Sequence, residues 1–417
     1  MNKNSFYLMD FNKLTEIKTL GGLKKAGYKT HSVKDEIRHN LINRIKNKET
    51  IFEGIVGYED TVVPAVVNSL LAKHDIILLG LRGQAKTKMA RMLVSLLDDY
   101  IPIVKGSEIN DNPFHPISKH AVDMVNEMGD ETEIEWISKE QRYSEKLATP
   151  DVNIADLIGD IDPIKAANHR LHYSHEGAIH FGIIPRTNRG VFVINELPDL
   201  QPRIQVGLLN IMQEKDIQIR GFNIRIPLDV LMVFTANPED YTNRGNIITP
   251  LKDRIDSQII THYPKSLEDG IEITDTYSWI KRSEGKVNIP YYFKEIIEMT
   301  AMQARVSEFV DQKSGVSARL TISSMENLIS NAERRSIVNN EKDIYLRICD
   351  INAVLPGMTG KMELVFEGEQ EGSIKVSRAL LSKAVREIYR KYFPDPLLKK
   401  KKNDKPDADP YAEIVEW

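Results

Sequence analysis

Gly80-Leu81-Arg82-Gly83-Gln84-Ala85-Lys86-Thr87, directly after the aliphatic run Ile76-Ile77-Leu78-Leu79, is the stretch that decides the fold. Four aliphatic residues in a row read as a short buried strand. The Gly-containing loop that follows gives way to a helix that starts at Lys86-Thr87 and continues through Met89-Ala90-Arg91-Met92-Leu93-Val94. Such a loop turns successive backbone N–H groups inward, and the helix N-terminus adds the positive end of its dipole, so a polyphosphate can sit there. Lys86 is placed to reach the β- and γ-phosphates, and the Thr87 hydroxyl to ligate Mg²⁺. The spacing is that of a P-loop with one departure, Ala85 in place of a glycine; a left-handed alanine there costs about 1–2 kcal/mol. A strand–turn–helix junction with a chance lysine is the competing reading. The strand before and the helix after the loop favour the nucleotide site.

Two further apolar runs end in residues with chemistry. Gly190-Val191-Phe192-Val193-Ile194-Asn195-Glu196 reads as a strand whose carboxyl end emerges beside the loop. Glu196 is then positioned to polarise an attacking water, and Asn195 stands where a metal-holding aspartate is usual. Its amide oxygen still accepts hydrogen bonds, but the negative charge is gone. Val230-Leu231-Met232-Val233-Phe234-Thr235-Ala236-Asn237 reads as a third buried strand, with Asn237 able to touch the γ-phosphate or the water; a turn asparagine before Pro238 is the plainer alternative. Arg254, in Pro250-Leu251-Lys252-Asp253-Arg254-Ile255, is either a surface ion-pair residue or an arginine finger, which in some NTPases is worth about 10³–10⁵ in rate. Arg319 opens a helix in Ser317-Ala318-Arg319-Leu320 and could touch the same nucleotide.

The rest of the chain limits the options. Its 417 residues allow two or three domains, and a formal net charge of -4 argues against a dominant nucleic-acid or membrane surface. One cysteine, Cys349, excludes an internal disulfide and suits a reducing cytosol. No apolar run approaches the about 20 residues of a membrane span, so a cytoplasmic protein is expected. A helix is expected around Val33–Lys46 and helical apolar spacing runs over Val62–Leu71, with Gly57-Tyr58-Glu59-Asp60 either an adenine contact or a cap. Residues 101–150 read as an insertion or long loop. Asp111, His115 and His120, and then His169, His172, His175 and His180, fit no metal template. Asp216–Ile226 reads as a hairpin about Gly221, residues 360–369 as partly strand-like, and Ser377–Tyr392 as a helix. Lys399–Lys402 opens a charged linker, and Tyr411–Trp417 closes in an amphipathic pattern that leaves open whether the chain continues.

In their order and residues these elements resemble the AAA+ ATPases, in the branch of magnesium chelatase I subunits and MoxR-like ATPases. The resemblance covers about residues 50–330, with Gly80–Thr87 as Walker A, Val191–Glu196 as Walker B, Asn237 as sensor 1, Arg254 as arginine finger and Arg319 as sensor 2. Gly106–Phe114 is similar to a chelatase loop, Ala148–Gly190 to that branch's helix-2 insert, and Asp216–Ile226 to its hairpin before sensor 1. The resemblance implies an α/β fold: a P-loop AAA+ core with a parallel five-stranded sheet plus a C-terminal helical lid. The corresponding division is 1–50 leader, 51–263 core, 264–355 lid and 356–417 extension. It also implies ATP and Mg²⁺ as cofactors and a homo-oligomeric ring, six subunits being the expected number. Arg254 would then act on the neighbour's ATP, and closure of the lid would remodel a partner protein, such as one bearing a von Willebrand A domain. The alternatives are the ATPase subunit of a metal chelatase, an ATP-binding scaffold without turnover and, last, an enhancer-binding transcriptional activator, whose Gly-Ala-Phe-Thr-Gly-Ala loop is not found.

Overall fold

The computed structural model describes residues 14–168, 176–219, 225–237, 245–282 and 285–394. Expectations for His169, His172, His175, the turn at Gly221, Lys399–Lys402 and Tyr411–Trp417 lie outside these residues. Contacts divide the chain into a first unit, Met1–Gly80 with Ala85–Thr261, and a second, Leu81–Gln84 with His262–Trp417.

The first unit is built on five parallel strands: β1 Ile76–Leu79, β2 Tyr143–Leu147, β3 Gly190–Asn195, β4 Val230–Ala236 and β5 Ser257–Ile260, in the spatial order β5-β1-β4-β3-β2. Parallel neighbours require crossover connections, so every strand carries its carboxyl end to the same edge of the sheet. The three central strands are buried along their whole length, which explains their unbroken apolar runs. Side chains alternate between the faces. Ile77, Leu79, Phe192, Ile194, Met232, Phe234 and Ala236 join one core cluster, with Ile184, Leu197, Ile204 and Leu251. Ile76, Leu78, Val191, Val193, Leu231 and Val233 join the other, with the helices α1 Val33–Lys46, α2 Val62–Leu71 and α3 Lys86–Met92. Helix α1 is N-capped by Ser32, whose Oγ accepts from the Asp35 amide at 3.2 Å. Tyr58 is buried in this second cluster, and its carbonyl accepts from Val63 N at 3.0 Å at the start of α2, so the Gly57–Asp60 turn caps that helix.

Residues 101–150 are not a long loop. They hold an antiparallel pair, Tyr100–Val104 with Ile134–Ser138, a helix over Lys119–Met128, and then β2 itself. Strand β2 (Tyr-Ser-Glu-Lys-Leu) lacks an apolar run because it is an edge strand, half-exposed at nearly every position. Strand β5 is the opposite edge and escapes sequence reading for the same reason. Asp111 organises the loop before that helix, its carboxylate accepting from Ile117 N at 2.7 Å, Ser118 N at 2.8 Å and Ser107 Oγ at 2.6 Å. Among the described residues no group of three or more His, Cys, Asp or Glu could hold a metal ion. The segment Ala148–Gly190 contains short helices and the antiparallel pair Gly159–Ile161 with Ile179–Phe181; Asp216–Gln218 pairs antiparallel with Arg225–Pro227.

The second unit is helical, with Tyr291–Arg305, Arg319–Val338 and Ser373–Tyr392 packing about Phe293, Leu320, Leu328, Met358 and Leu381. In place of a strand-like segment over residues 360–369, one isolated bridge joins Leu364 to Val310 and a helix follows at Phe366–Glu371. No helix among the described residues is long and apolar enough to cross a membrane.

Candidate nucleotide site

The loop after β1 begins with Gly80, whose amide donates to the Ala236 carbonyl at 3.1 Å, tying the loop to the end of β4. Ala85 has φ 56° and ψ 14°, the left-handed conformation for which the sequence reading assigned a strain cost, and α3 starts at the next residue. Lys86 is only 7% exposed, and its Nζ donates to the Gly80 carbonyl. Within the second unit, Gly83 has φ +74°, and a Cβ built there would lie 2.7 Å from Ala318 N, so the position excludes any side chain. Arg82 forms an ion pair with Glu363, its carbonyl accepts from Tyr263 OH at 2.8 Å, and Gln84 is buried.

Strand parity brings the remaining groups together. Asn195 follows Val191 and Val193, and Thr235 follows Leu231 and Val233, so both side chains fall on the face that carries α3. There Asn195 Oδ1 accepts from Thr87 Oγ1 at 3.1 Å and from Thr235 Oγ1 at 3.2 Å, while Thr235 Oγ1 accepts from Glu196 N at 3.1 Å. One continuous chain of hydrogen bonds thus joins the P-loop helix to the ends of β3 and β4. Glu196 sits at φ 55°, a left-handed conformation held by that Thr235 contact, and such backbone outliers in non-glycine residues concentrate at functional sites. Asn237 is buried, one residue beyond the Ala236 that receives Gly80.

Two more residues complete the cluster, and sequence reasoning missed both. Glu145 on β2 shares the α3 face with Tyr143. Arg91 Nε of α3 donates to Glu145 Oε2 at 2.9 Å and Arg91 Nη2 to Oε1, and Tyr143 OH donates to Oε2 at 2.7 Å. Arg91 above all holds the Glu145 carboxyl below its ordinary pKa, against the opposing effect of partial burial. The signal in the sequence was faint: Tyr143-x-Glu145-x-Leu147 alternates, but an edge strand of mixed polarity has no apolar run to mark it. Thr235 could have been found as a hydroxyl set in the otherwise apolar Val230–Ala236.

Arg254 closes the helix Thr249–Arg254. Its Nη1 donates to the Pro250 carbonyl at 2.7 Å, and its Nε and Nη2 to Gln213 Oε1 at 3.0 and 2.7 Å. All of these acceptors are neutral. Arg319 is exposed at the first position of the 20-residue helix Arg319–Val338, where its amide donates to Ser317 Oγ at 3.2 Å. The structure therefore gathers Lys86, Thr87, Asn195, Glu196 and Asn237 at one edge of the sheet. Arg254 stands on a separate helix, and Arg319 belongs to the second unit.

The donor set suits a hard cation that keeps several of its waters: a hydroxyl at Thr87 and an amide oxygen at Asn195, both oxygen ligands.

A family model for the sigma-54 interaction domain matches residues 172–260. The magnesium-chelatase 38 kDa subunit of Rhodobacter capsulatus is 26% identical over 54% of this chain and 61% of its own length, and that of Cereibacter sphaeroides 25% identical over 53% and 61%. The chain thus spans about three fifths of the length of these curated relatives. A crystal structure of a putative ATPase from Cytophaga hutchinsonii is 18% identical over 87% of this chain and 98% of that one, with a TM-score of 0.33. The chain is thus similar, over about half of its length, to magnesium-chelatase subunits, and it has the five-stranded parallel sheet and the phosphate-loop geometry that the resemblance to AAA+ ATPases implies.

Proposed function

We propose that this chain binds ATP with Mg²⁺ at Gly80–Thr87 and hydrolyses it between the subunits of a homo-oligomeric ring in the cytoplasm, using the cycle to remodel or assemble a partner protein. The hydrogen-bonded chain Thr87–Asn195–Thr235–Glu196 carries the proposal, because it couples the phosphate loop to the residue that faces water at the end of β3. Gly80, Leu81, Arg82, Gly83, Gln84 and Ala85 cradle the phosphates with their backbone, and Lys86 moves from the Gly80 carbonyl to the β- and γ-oxygens. Thr87 and Asn195 would hold Mg²⁺, which would supply charge neutralisation to the bound phosphates. Glu196 orients the attacking water and accepts its proton; Asn237 holds the water or the γ-phosphate in line. Arg254, held by neutral acceptors, is free to neutralise transition-state charge at a neighbouring subunit's site, and Arg319 reports on the nucleotide from the helical unit.

Phosphate release and nucleotide affinity, measured together, test the reading. Glu196→Gln is expected to lower hydrolysis by about 10²–10⁴ while still binding ATP. Lys86→Ala is expected to abolish binding. A mixture of Glu196→Gln and Arg254→Ala chains, each inactive alone, is expected to regain turnover if the two residues serve one site from different subunits. Equal background release from wild type and Glu196→Gln would instead identify a nucleotide-gated scaffold. The similarity to magnesium-chelatase subunits makes a chelatase ATPase the second reading; it predicts metal insertion into a porphyrin when partner subunits are added.

A further inference from the structure

Strand β3 is bounded at both ends by a non-glycine residue in the left-handed conformation: Glu196 at φ 55° beside the phosphate loop, and Arg189 at φ 61° at the amino end. Such strain persists only where the surroundings enforce it, and it clusters at functional sites. At that amino end the first unit has a cavity of about 460 Å³, a volume within the range of small-ligand clefts, and Arg189 lines it.

Arg189 is 6% exposed, yet among the described residues no carboxylate forms an ion pair with it. Its Nη1 donates to the Pro102 carbonyl at 2.7 Å, the side chain's one hydrogen bond among those residues. The acids around it are spent elsewhere. Glu36 accepts from Arg142 with both oxygens, at 2.7 and 2.6 Å, and Asp229 Oδ2 accepts from Val33 N at 2.8 Å. Burial first and the Arg142 charge second bring the Arg189 pKa down to about 10, against smaller opposing effects of Tyr28, Glu36 and Asp229. A buried cation is costly unless an anion meets it, and a guanidinium is the group that meets one best.

The rest of the wall is held in place by its own hydrogen bonds. The loop bearing Asn112 and His115 is fixed by Asp111, which accepts from Ile117 N and Ser118 N, and His115 N donates to the Asn112 carbonyl at 3.0 Å. Asn188 Nδ2 donates to the Ile109 carbonyl at 3.0 Å, and its Oδ1 accepts from Asp229 N at 2.9 Å. Ile117, Pro227 and Leu228 add apolar surface, and two exposed histidines, His31 and His115, line the same cavity.

We propose that this cavity binds an organic carboxylate: the carboxylate group takes the fork of Arg189, the carbon body lies along Ile117, Pro227 and Leu228, and His115 bonds a polar atom of the ligand. The planar head matches the guanidinium with two parallel hydrogen bonds. A single negative charge suits the site better than a phosphate dianion, because Asp229 stands in the same wall. Free phosphate also has no body to lay on the apolar residues. The bound anion supplies the counter-charge that Arg189 lacks.

Titration of the full chain with benzoate, acetate and inorganic phosphate tests this, followed through the ring signals of His31 and His115 by nuclear magnetic resonance and through the thermal midpoint. Benzoate is expected to shift both histidine signals saturably and to raise the midpoint, as any ligand of the folded state does. Acetate, a head without a body, should bind several-fold more weakly, and phosphate more weakly still. Arg189→Gln is expected to weaken benzoate about tenfold or more, and His115→Ala, read through His31, about threefold. Equal benzoate affinity in wild type and Arg189→Gln would mean that Arg189 only holds the Pro102 carbonyl, and would overturn the proposal. So would phosphate binding as tightly as benzoate, or histidine signals that never saturate. If Arg189→Gln does not fold, His115→Ala decides: unchanged affinity there would equally sink the site.

Discussion

The two edges of the central sheet solve the same problem in opposite ways. At the amino edge a charged residue precedes every strand: Asp75 before β1, Arg142 before β2, Arg189 before β3, Asp229 before β4 and Asp256 before β5. These charges are bound mainly to charges or to the next strand's backbone. Asp75, fully buried, accepts from Lys34 at 2.8 Å, Lys215 at 2.7 Å and Met232 N at 2.9 Å, and its own amide donates to Asp256 at 2.9 Å. Arg142 donates to both oxygens of Glu36 at 2.7 and 2.6 Å and to the Arg189 carbonyl at 2.8 Å. At the carboxyl edge the chain of hydrogen bonds beside the loop runs through hydroxyls and an amide, Lys86 rests on a carbonyl, and Glu196 joins the chain only through its backbone N–H. Charges closed on each other give a fixed edge. Neutral groups linked in a chain leave an edge whose potential an incoming anion and cation can still complete. The same sheet therefore has an end that holds it together and an end that works.

The largest expected effect tests the fixed edge. Arg142→Ala leaves the Glu36 carboxylate buried without its bidentate partner, and breaking a buried pair from one side costs about 3–5 kcal/mol. Urea unfolding should show that loss, while nucleotide affinity of the folded fraction stays at the wild-type value. If affinity fell and stability held, the division between the edges would be wrong.

A smaller loss is expected at the working edge. Thr235→Val removes the acceptor for Glu196 N and one donor to Asn195 while keeping the side chain's shape, at a cost of about 1–3 kcal/mol for the polar groups left unmatched. Phosphate release should fall by more than stability would explain, because the variant releases Glu196 from its left-handed position. A variant with lower stability and unimpaired hydrolysis would show that Thr235 belongs with the fixed groups.

Ala85→Gly reverses the sign. The left-handed alanine at the head of α3 carries strain of about 1–2 kcal/mol, part of which glycine gives back through its greater freedom in the unfolded chain. A net gain of about 1 kcal/mol in denaturant unfolding, with tighter nucleotide binding, is expected. A loss would mean that the methyl group itself is needed at the loop.

The difference between the edges also explains what the sequence revealed. Strands β1, β3 and β4 announced themselves because burial on both faces makes them continuously apolar, and Gly80–Thr87 did so because a phosphate loop needs glycine and lysine at fixed spacing. The helix expected around Val33–Lys46 forms with those bounds, though the serine that caps it, Ser32, was not singled out in the sequence. Edge strands β2 and β5, being half-solvated, carry no such mark, and Glu145 was lost with β2. Arg142 and Glu36 lie 106 residues apart, and no local pattern relates them; only the register of β2 with β3 brings Arg142 beside the Arg189 carbonyl. Thr235 was visible as a letter, but its role depends on strand β4 lying next to β3.

The smallest effect concerns Asp229, which sits at the amino edge yet departs from its rule. Its carboxylate accepts from Val33 N at 2.8 Å, and Arg189 and Arg142 favour its charge, but burial is the largest influence and, with Glu36, pushes its pKa above the ordinary carboxylate value. A raised native pKa means that the folded state holds the proton more tightly than the unfolded chain does. The contribution is therefore fully present below the unfolded carboxylate pKa and is lost as pH rises through the native value. Asp229→Asn keeps an oxygen for Val33 N and no longer titrates. Denaturant midpoints measured from mildly acidic to neutral pH should show the variant gaining on wild type as pH rises, most steeply just above the ordinary carboxylate range. If the variant instead lost ground toward neutral pH, Asp229 would be paired with Arg189 strongly enough to count as one more closed charge of the fixed edge, and the exception would disappear.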